Sequence, residues 1–384
     1  MTRKPAVTFA IVCVIAVVGL AAYLFHTGGR MRDAREAAPP GPPPNSAVPD
    51  PGSATAPAPT PSEAPAPAPT AAATDPVPPN DAPAPHVPAT ASARLFFRHN
   101  GVEAHYGSLA WVDTAKLDEV HYVDSLRCEV VHVSGGHGIC LSADRGVFTT
   151  YAATLFDAKT LVAGKPFPLK GIPSRARVSI DGRLAALTVF VSGHGYTSLD
   201  FSTQTLIVEY ATGAVLADLE DFAVTQDGAP LKNPDFNFWG VTFTPDAKNF
   251  YATLSTAGKH YLIHGDIAAR TATIIHENVE CPSLSPDARR VAYKKRLMDG
   301  NRVLWQLHVL ELATARETPL SEKRSIDDQL EWLDNQNVLY SVPSKDDGSS
   351  PSTDVWRVAV NARTPPELFL RGAYSPATAR GSPR

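Results

Sequence analysis

The chain has 384 residues, a formal net charge of −4 and only 19% charged residues. That near-neutral balance argues against nucleic-acid binding, which needs clustered Lys and Arg to meet phosphates. Of its 35 prolines, nineteen fall between Pro39 and Pro88, a stretch rich in Ala, Ser and Thr with no Lys or Arg and four acidic residues.

Residues 6–25 read AVTFAIVCVIAVVGLAAYLF, twenty positions without a charge. At 1.5 Å per residue a helix of that length spans a hydrocarbon core of roughly 30 Å. Two readings stand: an uncleaved signal anchor, which the length of the run favours, and a cleaved signal peptide. Arg3 and Lys4 before the run and Arg30, Arg32 and Arg35 after it barely discriminate orientation. The Pro/Ala segment after it cannot bury enough apolar surface to offset the entropy of ordering it, and so reads as a disordered spacer. Such a spacer suits an exported domain standing off a membrane. The expected organisation is therefore a cytoplasmic end at 1–5, a transmembrane anchor at 6–25, a linker at 26–93 and one extracytoplasmic globular unit at 94–384, with the protein held in the cell membrane by a single pass.

From Arg94 onward, apolar and polar residues alternate in runs of five to eight, separated by turn residues, with no long helical period. Five segments align: GICLSADRGVFTTY, RVSIDGRLAALTV, VTFTPDAKNFYATL, PSLSPDARRVAYKK and LEWLDNQNVLYSV. Each carries an Asp in one register, namely Asp144, Asp181, Asp246, Asp287 and Asp334, at intervals of 37, 65, 41 and 47 residues. Each is read as a tight turn in which the carboxylate accepts backbone N–H bonds between two strands. Four strands per 40 to 47 residues mark a β-propeller blade. The long interval holds one blade plus an insertion, placed at Gln226 to Gly240. Tyr374 to Thr378 reads as half a hairpin, and Leu95 to His99 as the other half. Pairing them gives an all-β, six-bladed propeller closed by its C-terminal strand.

SLSPDARRVAY and FTPDAKNFYA resemble the hairpin of TolB-like propellers, the WD40-like "PD40" repeat family, and the similarity extends over Arg94 to Thr378. The resemblance implies the propeller fold. It leaves function open among protein-binding scaffolds, peptidase-associated propellers and lyases. The single span with a Pro/Ala spacer also resembles actinobacterial envelope proteins in composition.

Candidate functional residues lie in loops. His105, His137 and His194 are assigned to loops of one propeller face, the latter two within Ser-Gly-(Gly)-His-Gly phrases. Such phrases form polar turns more readily than metal sites, so no metal and no cofactor is expected. The insertion offers Lys232, Asn233, Asp235 and Asn237 beside Phe236, Phe238 and Trp239, a combination suited to recognition. Its alternative is that Phe238 and Trp239 plug the channel as core. A calcium loop is excluded because Trp239 stands where an oxygen ligand belongs. Asp327-Asp328 and Asp346-Asp347 read as solvated turns, and Lys294-Lys295-Arg296 as an exposed strand end. Cys128, Cys140 and Cys281 are expected to stay apart as buried thiols, with Cys128 on an outer strand and Cys140 on the next innermost one. The expected function is a membrane-tethered, non-catalytic module whose propeller mouth binds a protein or small ligand and no nucleic acid. The alternative is an envelope lyase or hydrolase with its site in the same mouth.

Overall fold

The computed structural model describes residues 93–191, 202–344 and 352–380. The proposed span at 6–25 and most of the linker lie outside them, as do His194, Asp346 and Asp347. Among the described residues no helix is long and apolar enough to cross a membrane.

The described residues form six sheets, antiparallel but for one added parallel pairing in blade 4, each running from an innermost strand outward. Blade 2 is Val130–Ser134, His137–Arg145, Thr149–Asp157 and Phe167–Leu169. Blade 3 is Ile172–Val178, Leu184–Val191, Ser202–Glu209 and Val215–Asp218; blade 5 is Glu280–Leu284, Arg290–Asp299, Arg302–Glu311 and Arg316–Pro319. Blade 6 is Glu331–Trp332, Asn337–Pro343, Thr353–Ala359 and Glu367–Leu370. Blade 1 takes its inner strand, Ala373–Thr378, from the C-terminus and its other three, Arg94–His99, Ser108–Asp113 and Lys116–Arg127, from the start of the domain. Leu95 pairs with Thr378, Phe96 with Ala377, Arg98 with Tyr374 and His99 with Ala373, the closure expected from sequence. Pairing the two ends covers the inner edge of Arg94–His99, and Ala373–Thr378 becomes the blade's innermost strand.

Each inner strand begins on one face, here called upper, together with the loops joining second to third strands. The turns joining inner to second strands lie on the lower face. In three blades these turns share one hydrogen-bond set, made by Ser179 and Asp181, Thr244 and Asp246, and Ser285 and Asp287. The hydroxyl donates to the carboxylate at 2.6, 2.6 and 2.5 Å, and the carboxylate accepts the N–H two residues on at 3.0, 3.1 and 3.1 Å. The residue after the Asp then turns left-handed, with φ of 73° at Gly182, 52° at Ala247 and 56° at Ala288. Asp334 accepts from the N–H groups of Gln336 and Asn337 at 2.6 and 2.8 Å.

Blade 2 departs from the expected register. Asp144 lies near the end of its second strand, on the upper face. The inner turn is Gly135-Gly136, with φ of 58° and 78°, closing a two-residue hairpin between Ser134 and His137. Two successive left-handed positions suit a twisted hairpin, and glycine occupies both at no steric cost.

The insertion in blade 4 is also differently placed. The strands Asn237–Phe243, Asn249–Thr256, Lys259–Asp266 and Thr271–Glu277 form the blade, and the hairpin Ala223–Gln226 with Ala229–Leu231 extends it at the outer edge, parallel to Thr271–Glu277. The inserted residues thus widen a blade on its far side from the axis, where a free loop at the mouth was expected.

Apolar side chains pack between neighbouring blades. Phe96, Leu109 and Ala377 of blade 1, for example, cluster with Val131, Val133, Cys140 and Phe156 of blade 2. Inner strands carry bulges that bring their backbones together. Cys281, at φ 50°, lies against Gly240, where an added Cβ would stand 2.8 Å from the Cys281 Cα. Glycine is therefore required at 240 by its neighbour as well as by its own φ of 67°.

Candidate functional site: the channel and its upper rim

The inner strands place one polar side chain after another along the axis. At mid-depth Arg177 Nη1 of blade 3 donates to Glu331 Oε2 of blade 6 at 2.6 Å, and Arg177 Nη2 donates to the Leu330 carbonyl at 3.1 Å. Glu331 Oε1 accepts from the Thr378 N–H at 3.2 Å and from Arg380 Nη2 at 3.4 Å. His132 Nδ1 accepts from the Val178 N–H at 3.0 Å, and its Nε2 lies 3.0 Å from Arg177 Nη1 and 3.6 Å from Glu331 Oε2. Burial, with the Arg177 charge added, lowers the His132 pKa from 6.5 to about 4. Burial alone would push Glu331 up, but the His132 hydrogen bond and the charges of Arg380 and Arg177 hold it at about 2. The channel is thus crossed by a charged layer in which Arg177 and Arg380 share the Glu331 carboxylate.

Above this layer, Lys294 pairs with Asp327, whose other neighbour is Arg175 at 3.8 Å. The Lys294 side chain is 2% exposed and also lies 3.9 Å from Glu280, which accepts from Trp305 Nε1 at 3.1 Å. Asp328 is buried, which raises its carboxyl pKa, and accepts from the Ser341 N–H at 2.7 Å. Burial likewise pushes the Tyr374 phenol up to about 12. The cavity bounded by Arg175, Asp328 and Tyr374 holds about 20 Å³, room for about one water. Two expectations are corrected here. Asp327-Asp328 is a solvated turn only in part: Asp327 stays exposed, whereas Asp328 is buried because the connection from blade 5 to blade 6 folds back into the channel. Lys294 is likewise no exposed strand end, because its strand runs deep into blade 5, and Lys295 beside it pairs with Glu317.

The cysteines are corrected as well. Cys128 and Cys140 form a disulfide with Cα atoms 5.3 Å apart, and Cys281 is a buried free thiol. Cys140 sits on the second strand of blade 2, opposite Val131, and Cys128 follows the outer strand of blade 1 on the segment returning to the axis. The register shift that displaced Asp144 also hid this proximity.

The histidines do not converge. His105 lies between the second and third strands of blade 1, on the upper face, stacked 4.0 Å from Tyr122 with Nδ1 2.8 Å from Asp124 Oδ1. His137 opens the second strand of blade 2 on the lower face, its ring 4.3 Å from Tyr210. Their assignment to one face fails because the Gly-Gly turn belongs to the inner hairpin.

Within the insertion, Lys232 is exposed, and Asp235 accepts from Thr256 Oγ1 at 2.5 Å and from the Ala257 N–H at 2.7 Å. Asn233 is half-buried beside them, and Asn237 Oδ1 accepts from the Thr203 N–H at 2.8 Å. Phe238 is a core residue, and Trp239 meets His260 edge-on at 5.6 Å. These polar residues mainly brace loops on the upper side of blades 3 and 4.

Sequence reasoning missed the seam between blades 1 and 2. On its upper face Val102, Tyr106, Val147 and Phe148 are 67%, 41%, 96% and 83% exposed. The seam is braced by the disulfide, by Arg145 Nη1 donating to Glu129 Oε1 at 2.6 Å, by Arg127 donating to the Tyr106 carbonyl at 3.2 Å and by the Cys128 N–H donating to Gly107 at 2.9 Å. An apolar Val-Phe pair at the tip of a strand-connecting loop was the signal available for it. Among the described residues no group of His, Cys, Asp and Glu is arranged to hold a metal ion.

No protein-family model matches this chain, and no curated protein does. Among solved structures, TolB from Acinetobacter baumannii is similar over 75% of this chain and 67% of its own, with a TM-score of 0.52 and 17% identity. A putative TolB from Agrobacterium tumefaciens matches over 76% of this chain and 94% of its own at a TM-score of 0.43 and 13% identity. A nidogen/laminin complex matches over 75% and 98% at a TM-score of 0.49 and 10% identity. The first likeness shows a TolB-like six-bladed propeller fold.

Proposed function

We propose that this chain is a membrane-tethered, extracytoplasmic propeller that binds a protein partner without catalysis, through the upper rim of blades 1 and 2. The observation that carries this reading is the braced seam. Val147 and Phe148 stand almost fully in water on a loop held rigid by a disulfide and an ion pair, and exposed apolar groups on an ordered surface are characteristic of docking sites. Rigid anchors lose little entropy on binding. The filled channel supports the same reading, since the charged groups near its mouth are committed to one another around a cavity of about 20 Å³.

Export is supported by the Cys128–Cys140 disulfide, which persists in oxidising compartments. The uncharged run at 6–25 supplies the tether, and the Pro/Ala linker sets the distance from the lipid. The PD40-type turns support kinship with propellers of that repeat family.

The test compares full-length protein with a Val147→Asp/Phe148→Asp variant in affinity capture from intact, crosslinked cells. The variant should keep its thermal midpoint, remain in the membrane fraction and lose the captured partner. Retention of every captured partner by the folded variant would refute the docking face.

A further inference from the structure

The lower half of the channel holds a second cavity, separate from the proposed docking rim. It encloses about 60 Å³ and is lined by Arg177, Arg380, Ser134, Thr242, Ser283 and Glu331, among others. That is several times the roughly 10–15 Å³ that a single water requires.

Its charges do not balance. Arg177 and Arg380 share the single carboxylate of Glu331, with side chains 7%, 22% and 6% exposed. His132 is held neutral by burial and the Arg177 charge. The remaining acids nearby belong to the surface turns. Asp181 pairs with Arg183, Asp287 with Arg290, and the exposed Asp334 accepts N–H groups of its own turn and acts on Arg380 only through space, with no ion pair between them. One guanidinium charge in the cavity wall is therefore left to solvent or to a ligand.

The hydrogen-bond donors are in surplus too. Arg380 Nε is buried with no acceptor, while Nη2 of the same group donates to the Trp332 carbonyl. Thr242 Oγ1 accepts from the Leu284 N–H at 3.1 Å and Ser283 Oγ from Arg177 Nη2 at 3.4 Å, so both hydroxyl protons remain to be donated. Ser134 adds a third hydroxyl to the lining. A buried cation, an orphaned N–H and hydroxyls already used as acceptors define a site that lacks an acceptor carrying negative charge.

We propose that this lower cavity binds a small oxyanion, a phosphate or the carboxylate of a small organic acid, between Arg380, Ser283 and Thr242. The bound oxygen atoms accept from Arg380 Nε and the two hydroxyls, and their charge neutralises the unshared guanidinium.

The test is calorimetric titration of the full chain with inorganic phosphate and, separately, with acetate at constant ionic strength, each paired with a thermal unfolding curve. Saturable binding at one site per chain, with a matching rise in the midpoint, is expected for at least one anion. The anion preferred identifies phosphoryl or carboxylate chemistry. Arg380→Gln should weaken binding roughly tenfold or more. Thr242→Val removes a donor without touching an ion pair, and should weaken binding severalfold; because the Leu284 N–H also loses its acceptor, the anion-induced rise is read against the variant's own, lower anion-free midpoint. Absence of saturable binding to both anions, or binding unchanged in Thr242→Val and Arg380→Gln, would overturn the proposal. Neither result bears on the upper rim.

Discussion

Arg177 and Glu331 meet at 2.6 Å across the propeller axis although 154 residues separate them in the chain. They join the inner strands of blades 3 and 6, and Glu331 also accepts from the Thr378 N–H of the closing strand. One carboxylate thus ties the C-terminal closure to both sides of the channel.

Glu331→Gln should therefore destabilise the domain far more than a surface substitution. It leaves Arg177 and Arg380 buried without a counter-charge, a cost of about 3–5 kcal/mol. Adding Arg177→Met should recover part of the loss, because the uncompensated charge is then removed. Urea unfolding of the full-length single and double variants measures both effects. Additive losses in the double variant would contradict this assignment.

The pH dependence follows from the same cluster. His132 titrates at about 4 in the folded protein against 6.5 ordinarily, so the unfolded chain takes up its proton first as pH falls. Its contribution is complete above pH 6.5 and is lost as pH falls through 4. The contribution of Glu331 is complete above its ordinary 4.5 and is lost as pH falls through 2. Stability should accordingly decline from pH 6.5 downward, by about 3 kcal/mol from His132 alone. In His132→Gln the decline should begin only near the carboxylate range. Unfolding free energies measured between pH 7 and pH 4 would show the change in slope, and an identical slope in the variant would contradict it.

The disulfide closes a short loop, with a sequence separation of 12. Chain-entropy reasoning gives it about 2–3 kcal/mol. Peptide mapping under non-reducing conditions should find Cys128 joined to Cys140, with Cys281 alkylated only after unfolding. Cys128→Ser/Cys140→Ser should unfold at lower urea concentration while the propeller's circular dichroism is retained. A native midpoint in the double variant would show that the linkage contributes nothing.

The parts of the fold legible in the sequence were those carried by local chemistry. Asp181, Asp246 and Asp287 declare their turns through a preceding hydroxyl two residues away and a small residue after, and Ala373–Thr378 reads as half a hairpin from the same pattern. Blade 2 was misread because Ser142-Ala143-Asp144-Arg145 imitates that phrase on the next pair of strands, while the inner turn hides in Gly135-Gly136. The disulfide followed that error. The channel cluster was not legible because it draws Arg177, His132 and Glu331 singly from different inner strands. Their meeting depends on strand register and blade order, which no local spacing encodes. Asp328 and Lys294 carry ordinary surface charges in the sequence, and only the packing of the inner strands and of the connection to blade 6 makes them interior.

The most direct measurement of the proposed binding role is site-specific photocrosslinking in intact cells. A photoreactive residue at Phe148, on the upper rim, is compared with one at Lys248, in a lower-face turn of blade 4. The account predicts a discrete higher-mass adduct from position 148, abolished by Val147→Asp, and none from position 248. Adducts from position 248 alone, or none from position 148 in folded, membrane-associated protein, would contradict it.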